Sequence, residues 1–350
     1  MSNPVIVSLP DRVRDRDIFR DYQNRIFVTL GYIQPKDRVL SFLKYTPDDS
    51  GKWVSEGVRY KRYFWGSVDS TTEGMILLSD DYIVIDSHFQ TDLVEPPRDK
   101  IKDYFSPERR LQEILSEPQD TLEKLVRTAT HLIHDELGLS VEKLGISGSI
   151  LWKGHNPTFS DINMNIYGFK ESWHLYENYT ALEQKEAGSR IRDISGWDRA
   201  IERVRARVPI LKVSEFQRIF QRRKALCFDE RCIGITPILN PDEVPITHGS
   251  ETYTTLIHDP VRVSTTIGNT DYGIFHPAIY ETAPTEVHDV KVTRIMIYDG
   301  AFGGLFQEGD RVEVSGTLQK AIRNENNEVI YQLMVGTKFG SGREYVRLLS

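Results

Sequence analysis

Cysteine is scarce in this 350-residue chain: Cys227 and Cys232 are its only two. A disulfide-built scaffold and a four-ligand zinc site are both excluded on the count, because no second ligand pair lies near these two. Their four-residue gap is also wider than a metal knuckle usually has. Both are expected to be ordinary buried or half-buried thiols. Long apolar runs are missing as well; none reaches the roughly 18–20 residues that span a bilayer. The N-terminal "MSNPVIVSLPDRVRDRD" lacks the basic-then-apolar pattern of a secretory signal, so cytoplasmic residence is the expectation. Nor is there an excess of positive charge. The formal net charge of −7 argues against a protein that coats duplex DNA indiscriminately, although a local basic face remains compatible with it.

What the chain does contain is 39% apolar and 27% charged residues, a globular balance, at a length that fits two or three domains. Residues 18–90 read as short strands such as "RIFVTLGYI" and "DYIVIDS", separated by Pro, Asp and Gly turns, which predicts a β-rich N-terminal domain over 1–97. The paired prolines of "DLVEPPRDK" break that pattern. Two helices follow. "SPERRLQEILSE" has Ser106 as a cap and Pro107 at its first position. "DTLEKLVRTATHLIHDELG" puts its leucines, Val126, Ala129 and Ile133 on one face and ends at Gly138. With strands at "EKLGISGS", "FSDINMNIYG" and "RCIGITPIL" and helices between them, residues 98–248 read as an α/β domain. From about residue 250 the pattern is β again. Five or six short strands, one glycine-interrupted in "EGDRVEVSGTLQK", predict an OB-like barrel over 249–350. The expected fold class is therefore α+β, a central α/β domain between two β-rich modules.

The chemistry concentrates in "GISGSILWKGHNPTFSDINMNIYG", residues 145–168. Gly148 lets backbone approach a phosphate, and Ser149 adds a hydroxyl at a helix start. Asp161 and Asn163 stand two apart in a strand pattern, so both side chains face the same way. An acidic pair so placed can hold one or two Mg²⁺ ions against a triphosphate. A second feature is the basic run from Arg199 to Arg231, which includes Arg218, Arg222, Arg223 and Lys224. These four are candidates to neutralise a triphosphate or a nucleic-acid backbone.

Gly-Ser, a spacer, then Asp-x-Asp with apolar residues is the pattern of the polymerase-β-type nucleotidyltransferase superfamily, and residues 145–168 resemble it. The stretch looks especially like a group of uncharacterised predicted nucleotidyltransferases found mainly in archaea. "GYIQPKDRVLSFLKYTP", "FHPAIY" and "YDGAFGGLFQEGDRVEVSGTL" share that likeness, so it covers most of the chain. The resemblance implies a nucleotidyltransferase domain in which Gly148 and Ser149 hold phosphates and Asp161 is the first metal carboxylate. It also implies a Mg²⁺ cofactor, a nucleoside triphosphate as ligand, and RNA or another nucleic acid as partner. Asn163 departs from the pattern where the second carboxylate belongs. A neutral amide cannot balance a second divalent ion, so transfer is expected to be weakened or lost. The third carboxylate of the superfamily sits on a neighbouring strand. Here "CIGITPIL" has no acid, with Asp229 and Glu230 just before it as possible substitutes. The other reading is an active enzyme with a rearranged metal shell. In the C-terminal module, Tyr298, Phe302, Phe306, Tyr331, Phe339 and Tyr345 interleave with basic residues, a composition that suits stacking of single-stranded bases.

Overall fold

A computed structural model describes residues 4–64, 73–184 and 188–349. Its N-terminal part is a seven-stranded antiparallel sheet. The strands are β1 (Ile6–Val7), β2 (Ile18–Asp21), β3 (Ile26–Thr29), β4 (Ser41–Pro47), β5 (Trp53–Ser55), β6 (Val58–Arg62) and β9 (Ile101–Phe105), in the order β1-β9-β2-β3-β4-β6-β5. A separate hairpin pairs β7 (Ile83–Ile85) with β8 (Asp92–Val94). The prolines at 96–97 therefore do not end the first module: the chain returns through β9 to pair with β2. Register skips one residue between β3 and β4, with Phe27 opposite Leu43 and Ile26 opposite Tyr45, which makes Lys44 the extra residue of a bulge. Bulges re-aim a side chain out of the strand's alternation.

Helix α1 (Pro107–Ser116) begins at Ser106 with Pro107 in its first turn. Helix α2 (Thr121–Leu137) is capped by Asp120, which accepts from the Glu123 amide, and stops at Gly138 with φ +64°. Gly138 is a left-handed position where a side chain is disfavoured, and the apolar periodicity needs no other stop signal. The buried face of α2 packs against α1 and against one side of a five-stranded sheet. That sheet comprises β10 (Leu144–Ser147), β11 (Ile162–Tyr167), β12 (Ser189–Ile191), β13 (Leu226–Phe228) and β14 (Arg231–Ile238), in the order β10-β11-β14-β13-β12. β11 and β14 run parallel; the other pairs are antiparallel. A single turn, α3 (Gly148–Leu151), follows β10, and α4 (Phe169–Asn178) follows β11.

The N-terminal sheet and this α/β unit share one core, in which Ile18, Phe42, Tyr45, Tyr60 and Phe105 join Val126, Ile133, Ile146, Trp152, Met164 and Ile233. Burying aromatic and aliphatic side chains of this kind contributes roughly 1.5–3 kcal/mol each. The two are thus bonded by the same hydrophobic term that holds each together.

Helices α5 (Asp198–Arg207) and α6 (Val213–Phe220) belong to a second core, shared with the C-terminal sheet. That sheet contains β15 (Glu251–Thr266), β16 (Ala278–Val287), β17 (Val290–Ile297), β18 (Arg311–Arg323), β19 (Val329–Val335) and β20 (Tyr345–Leu348). Its order is β15-β18-β19-β17-β16, with β20 against β18. The expected barrel does not close. Between the edge strands β15 and β16 lies only an isolated bridge, Ile267 to Thr282, instead of a ladder. Among the described residues the fold is mixed α+β, with several sheets and no closed barrel.

Cys227 and Cys232 correct the expectation of free thiols. They stand directly opposite each other on β13 and β14 and form a disulfide. Opposed positions of an antiparallel hairpin bring two cysteines together whatever their separation along the chain. Spacing judged against metal knuckles could not show this.

Candidate functional site

Alternation along β11 sends Ile162 and Met164 into the core and leaves Asn163 exposed, with the exposed Asp161 just ahead of the strand. Pairing then fixes the neighbours of Asn163: Ser147 on β10 and Gly234 on β14. The amide sits between two glycines. A Cβ built on Gly148 would lie 3.1 Å from Asn163 Nδ2, and one on Gly234 would lie 3.7 Å from Asn163 Oδ1. Gly148 also has φ +64°. Here glycine is needed twice, for the left-handed backbone and for the close approach of the amide. A Gly148→Ala variant is expected to lose about 1–2 kcal/mol of stability. Urea denaturation measures this, and a midpoint equal to the wild type would show that the turn relaxes.

Ser147 and Ser149 are 8% and 6% exposed. Among the described residues, neither hydroxyl makes a side-chain hydrogen bond, and Ser147 does not cap the turn it precedes. Asp161 has no hydrogen bond or ion pair among the described residues, but cations surround it. Its charge acts on Lys44, Tyr45 and Arg192. Burial, then Arg62 and Arg16, push the Lys44 ammonium down to about 7 against the pull of Asp161. Burial likewise lowers Arg192, followed by Arg190 and Arg203, and its guanidinium stacks 4.4 Å from the Trp197 ring. The Lys44 bulge thus brings an amine of the N-terminal sheet within electrostatic reach of Asp161. Two residues from Asp161, Phe159 is 43% exposed and meets Trp53 edge-on at 5.7 Å. Sequence reading did not single out Lys44, Arg16, Arg62, Arg192 or Phe159, since bulge placement and sheet-to-sheet packing have no signature in the chain.

The residues present do not fit a resident two-ion metal centre. Among the described residues, a neutral amide and Gly234, where a third acid would have to be, stand beside Asp161, and the cations Lys44 and Arg192 feel its charge. Asp229 and Glu230 lie exposed in the β13–β14 turn, and the Asp229 carbonyl accepts from Arg190. Among the described residues, a group that could hold a metal ion is Asp120, Glu123 and His155. His155 Nε2 lies 2.7 Å from Asp120 Oδ2 and 3.8 Å from Glu123 Oε1. Glu123 already binds the Arg110 guanidinium and accepts from the Gln119 amide at 2.8 Å. This group therefore also works as a buried ion-pair network, and nothing in it selects Mg²⁺.

The basic run is brought to a different place. Arg222 pairs with Asp310 and donates to the Leu305 carbonyl at 3.0 Å. Arg223 donates to the Gly300 and Ala301 carbonyls at 2.5 and 2.8 Å. Arg218 reaches the Leu348 and Leu349 carbonyls at 3.5 and 3.4 Å. Lys224 donates to the Tyr176 carbonyl at 2.6 Å and lies over the Tyr176 ring. Three of the four tie α6 and its C-terminal extension to the C-terminal module; Arg222 is ion-paired there, while Arg218 and Arg223 meet backbone carbonyls. Among the six aromatic residues of that module, Phe302, Phe306 and Tyr345 are core residues and Phe339 is exposed.

No family model matches the chain, and no solved structure matches it. It is similar to a protein of Methanocaldococcus jannaschii described as uncharacterized, with 23% identity over 353 residues that cover 96% of this chain and 99% of that protein. The likeness therefore runs through all three parts of the fold and is to an archaeal protein.

Proposed function

We propose that the Asp161 face binds the phosphates of a nucleoside triphosphate and does not transfer the nucleotidyl group. The observation that carries this reading is the position of Asn163, an amide between Gly148 and Gly234 with no second or third carboxylate beside it among the described residues. Lys44 and Arg192, the cations on which the Asp161 charge acts, supply the positive charge, and the Ser147 and Ser149 hydroxyls supply donors. The exposed ring of Phe159 offers a face for the base. A magnesium ion carried in by the nucleotide meets a single carboxylate, Asp161. Loss of carboxylates from a two-metal site removes several kcal/mol of transition-state stabilisation, which is several orders of magnitude in rate.

Titration calorimetry with ATP and with tripolyphosphate tests the binding. Phe159→Ala is expected to weaken ATP about 5–10-fold, the worth of one stacked ring, and to leave tripolyphosphate unchanged. Transfer is tested with labelled nucleoside triphosphates, Mg²⁺ or Mn²⁺, and RNA or the protein itself as acceptor. The wild type and Asn163→Asp are both expected to be inactive. The double variant Asn163→Asp with Gly234→Asp rebuilds three acids on adjacent strands and is expected to gain transfer; a Cβ at Gly234 meets Asn163 Oδ1 at 3.7 Å, an ordinary contact. Label transfer by the wild type that Asp161→Ala abolishes would overturn the proposal in favour of an active enzyme.

A further inference from the structure

A second cleft, about 590 Å³ in volume, lies apart from the Asp161 face, between the 11–14 arm, the 32–37 loop and the 239–248 connection. That volume falls within the roughly 300–1,000 Å³ of small-molecule sites. Its charge is unevenly balanced. Arg14 is neutralised by Asp17 and by Glu108 at 2.7 Å, and Asp11 and Asp37 are exposed. Arg12, Lys36 and Arg98 have no acidic partner among the described residues. Arg12 is held by the Pro241 carbonyl and Arg98 by the Pro10 carbonyl. Those bonds fix the planar guanidinium groups and leave donors over for an anion.

The wall carries His248, whose Nε2 is 2.6 Å from Asp86 Oδ2. Asp86 is itself fixed by the His88 and Phe89 amides, each at 2.7 Å. Behind it Glu95 is pushed up to about 8 by burial and then by Asp86. An imidazole backed by a carboxylate in this way has its tautomer set, so that Nε2 carries the hydrogen and Nδ1 is left to engage a ligand. His248 Nδ1 has no hydrogen bond among the described residues. Tyr32, 7% exposed, also lines the cleft; its hydroxyl is buried on the side of Tyr253 and Arg294, without a hydrogen-bond partner among the described residues.

We infer that this cleft binds a small phosphorylated metabolite, with the phosphate held by Arg12, Lys36 and Arg98 and the polar body facing His248. The inference uses none of the residues of the Asp161 face and stands independently of the function proposed above.

The test is titration calorimetry and ³¹P NMR with ribose 5-phosphate as the probe, ribose and inorganic phosphate as separate arms, and all at the same ionic strength. Saturable binding of one ribose 5-phosphate per chain is expected, weakened about tenfold or more by Lys36→Glu, Arg98→Ala and His248→Ala and unchanged by Lys44→Met. Lys36 is exposed, so its variant reports on binding even if His248→Ala fails to fold. Absence of saturation up to about 10 mM would overturn the inference. Retained affinity in Lys36→Glu with loss in Lys44→Met would do the same, by assigning the probe to the other face. Ribose binding as tightly as its phosphate would remove the phosphate from the claim, and inorganic phosphate binding as tightly would remove the metabolite.

Discussion

Lys44→Met is expected to weaken ATP binding about 10–100-fold while making the free protein more stable, an uncommon combination for a single substitution. The binding loss follows from removing one charge-assisted contact to phosphate, worth about 1.5–3 kcal/mol. The stability gain follows from the environment of the amine. Burial, Arg62 and Arg16 bring Lys44 down from its ordinary value to about 7 in the folded chain. Below that pH the folded state carries a charge that the unfolded state solvates better. Methionine removes this cost, on the order of 1–3 kcal/mol after allowance for the partial exposure of the site.

The sign of the pH dependence follows. Between about 7 and the unfolded value of 10.5 the folded chain binds fewer protons at Lys44 than the unfolded chain does. Wild-type stability therefore gains from this group as pH rises through that window, and the methionine variant lacks the gain. Nucleotide binding runs the other way. A phosphate beside Lys44 favours the ammonium form, so wild-type affinity falls as pH rises above 7. Denaturation midpoints and calorimetric titrations at about pH 6.5, below the window, and at about pH 8 and 9.5, within it, measure both slopes. A destabilised Lys44→Met with unchanged ATP affinity would remove Lys44 from the site.

The second large effect is structural. Arg294, 6% exposed, donates from Nη1 and Nη2 to the two oxygens of Glu251 at 3.0 and 2.7 Å and from Nε to Gln332 at 2.7 Å. Gln332 continues to Gln319 at 2.9 Å. This polar chain crosses β15, β17, β19 and β18 inside the sheet. Arg294→Met leaves Glu251, 3% exposed, as a buried carboxylate whose remaining cation is Arg323 at 3.6 Å. The expected loss is about 3–5 kcal/mol. Replacing both partners by methionine is expected to cost much less than Arg294→Met alone, because no unpaired charge remains in the interior. Guanidinium denaturation of the two variants decides this; equal losses would mean that packing, and not charge, dominates. The effect reaches the second cleft, because Tyr253 of β15 packs edge-on against His88 at 4.4 Å, next to the Asp86–His248 pair.

Much of the local structure was legible in the chain. Ser106-Pro107 and Gly138 mark helix ends that the fold uses, although the Ser106 side chain makes no capping hydrogen bond, because starts and stops depend on neighbours within a turn. Alternation in "SDINMN" placed Asp161 and Asn163 on one exposed face, and the missing acid in "CIGITPIL" became Gly234 beside Asn163. Long-range pairing was not legible. The β9 return past the prolines, the Cys227–Cys232 bridge and the unclosed C-terminal sheet all depend on which strands meet. The basic run shows the same limit. Arg222 and Arg223 read as phosphate ligands by composition, and the fold gives them Asp310 and two carbonyls.

Sequence by itself determined the secondary elements, the paired positions 161 and 163 and the neutral amide at Asn163, since each is a matter of identity or of spacing within one strand or helix. Tertiary structure alone decided which charges surround Asp161. Lys44 lies about a hundred residues or more upstream. It acts there because a bulge and a shared core set the N-terminal sheet against the α/β sheet, and electrostatic force depends on distance through space.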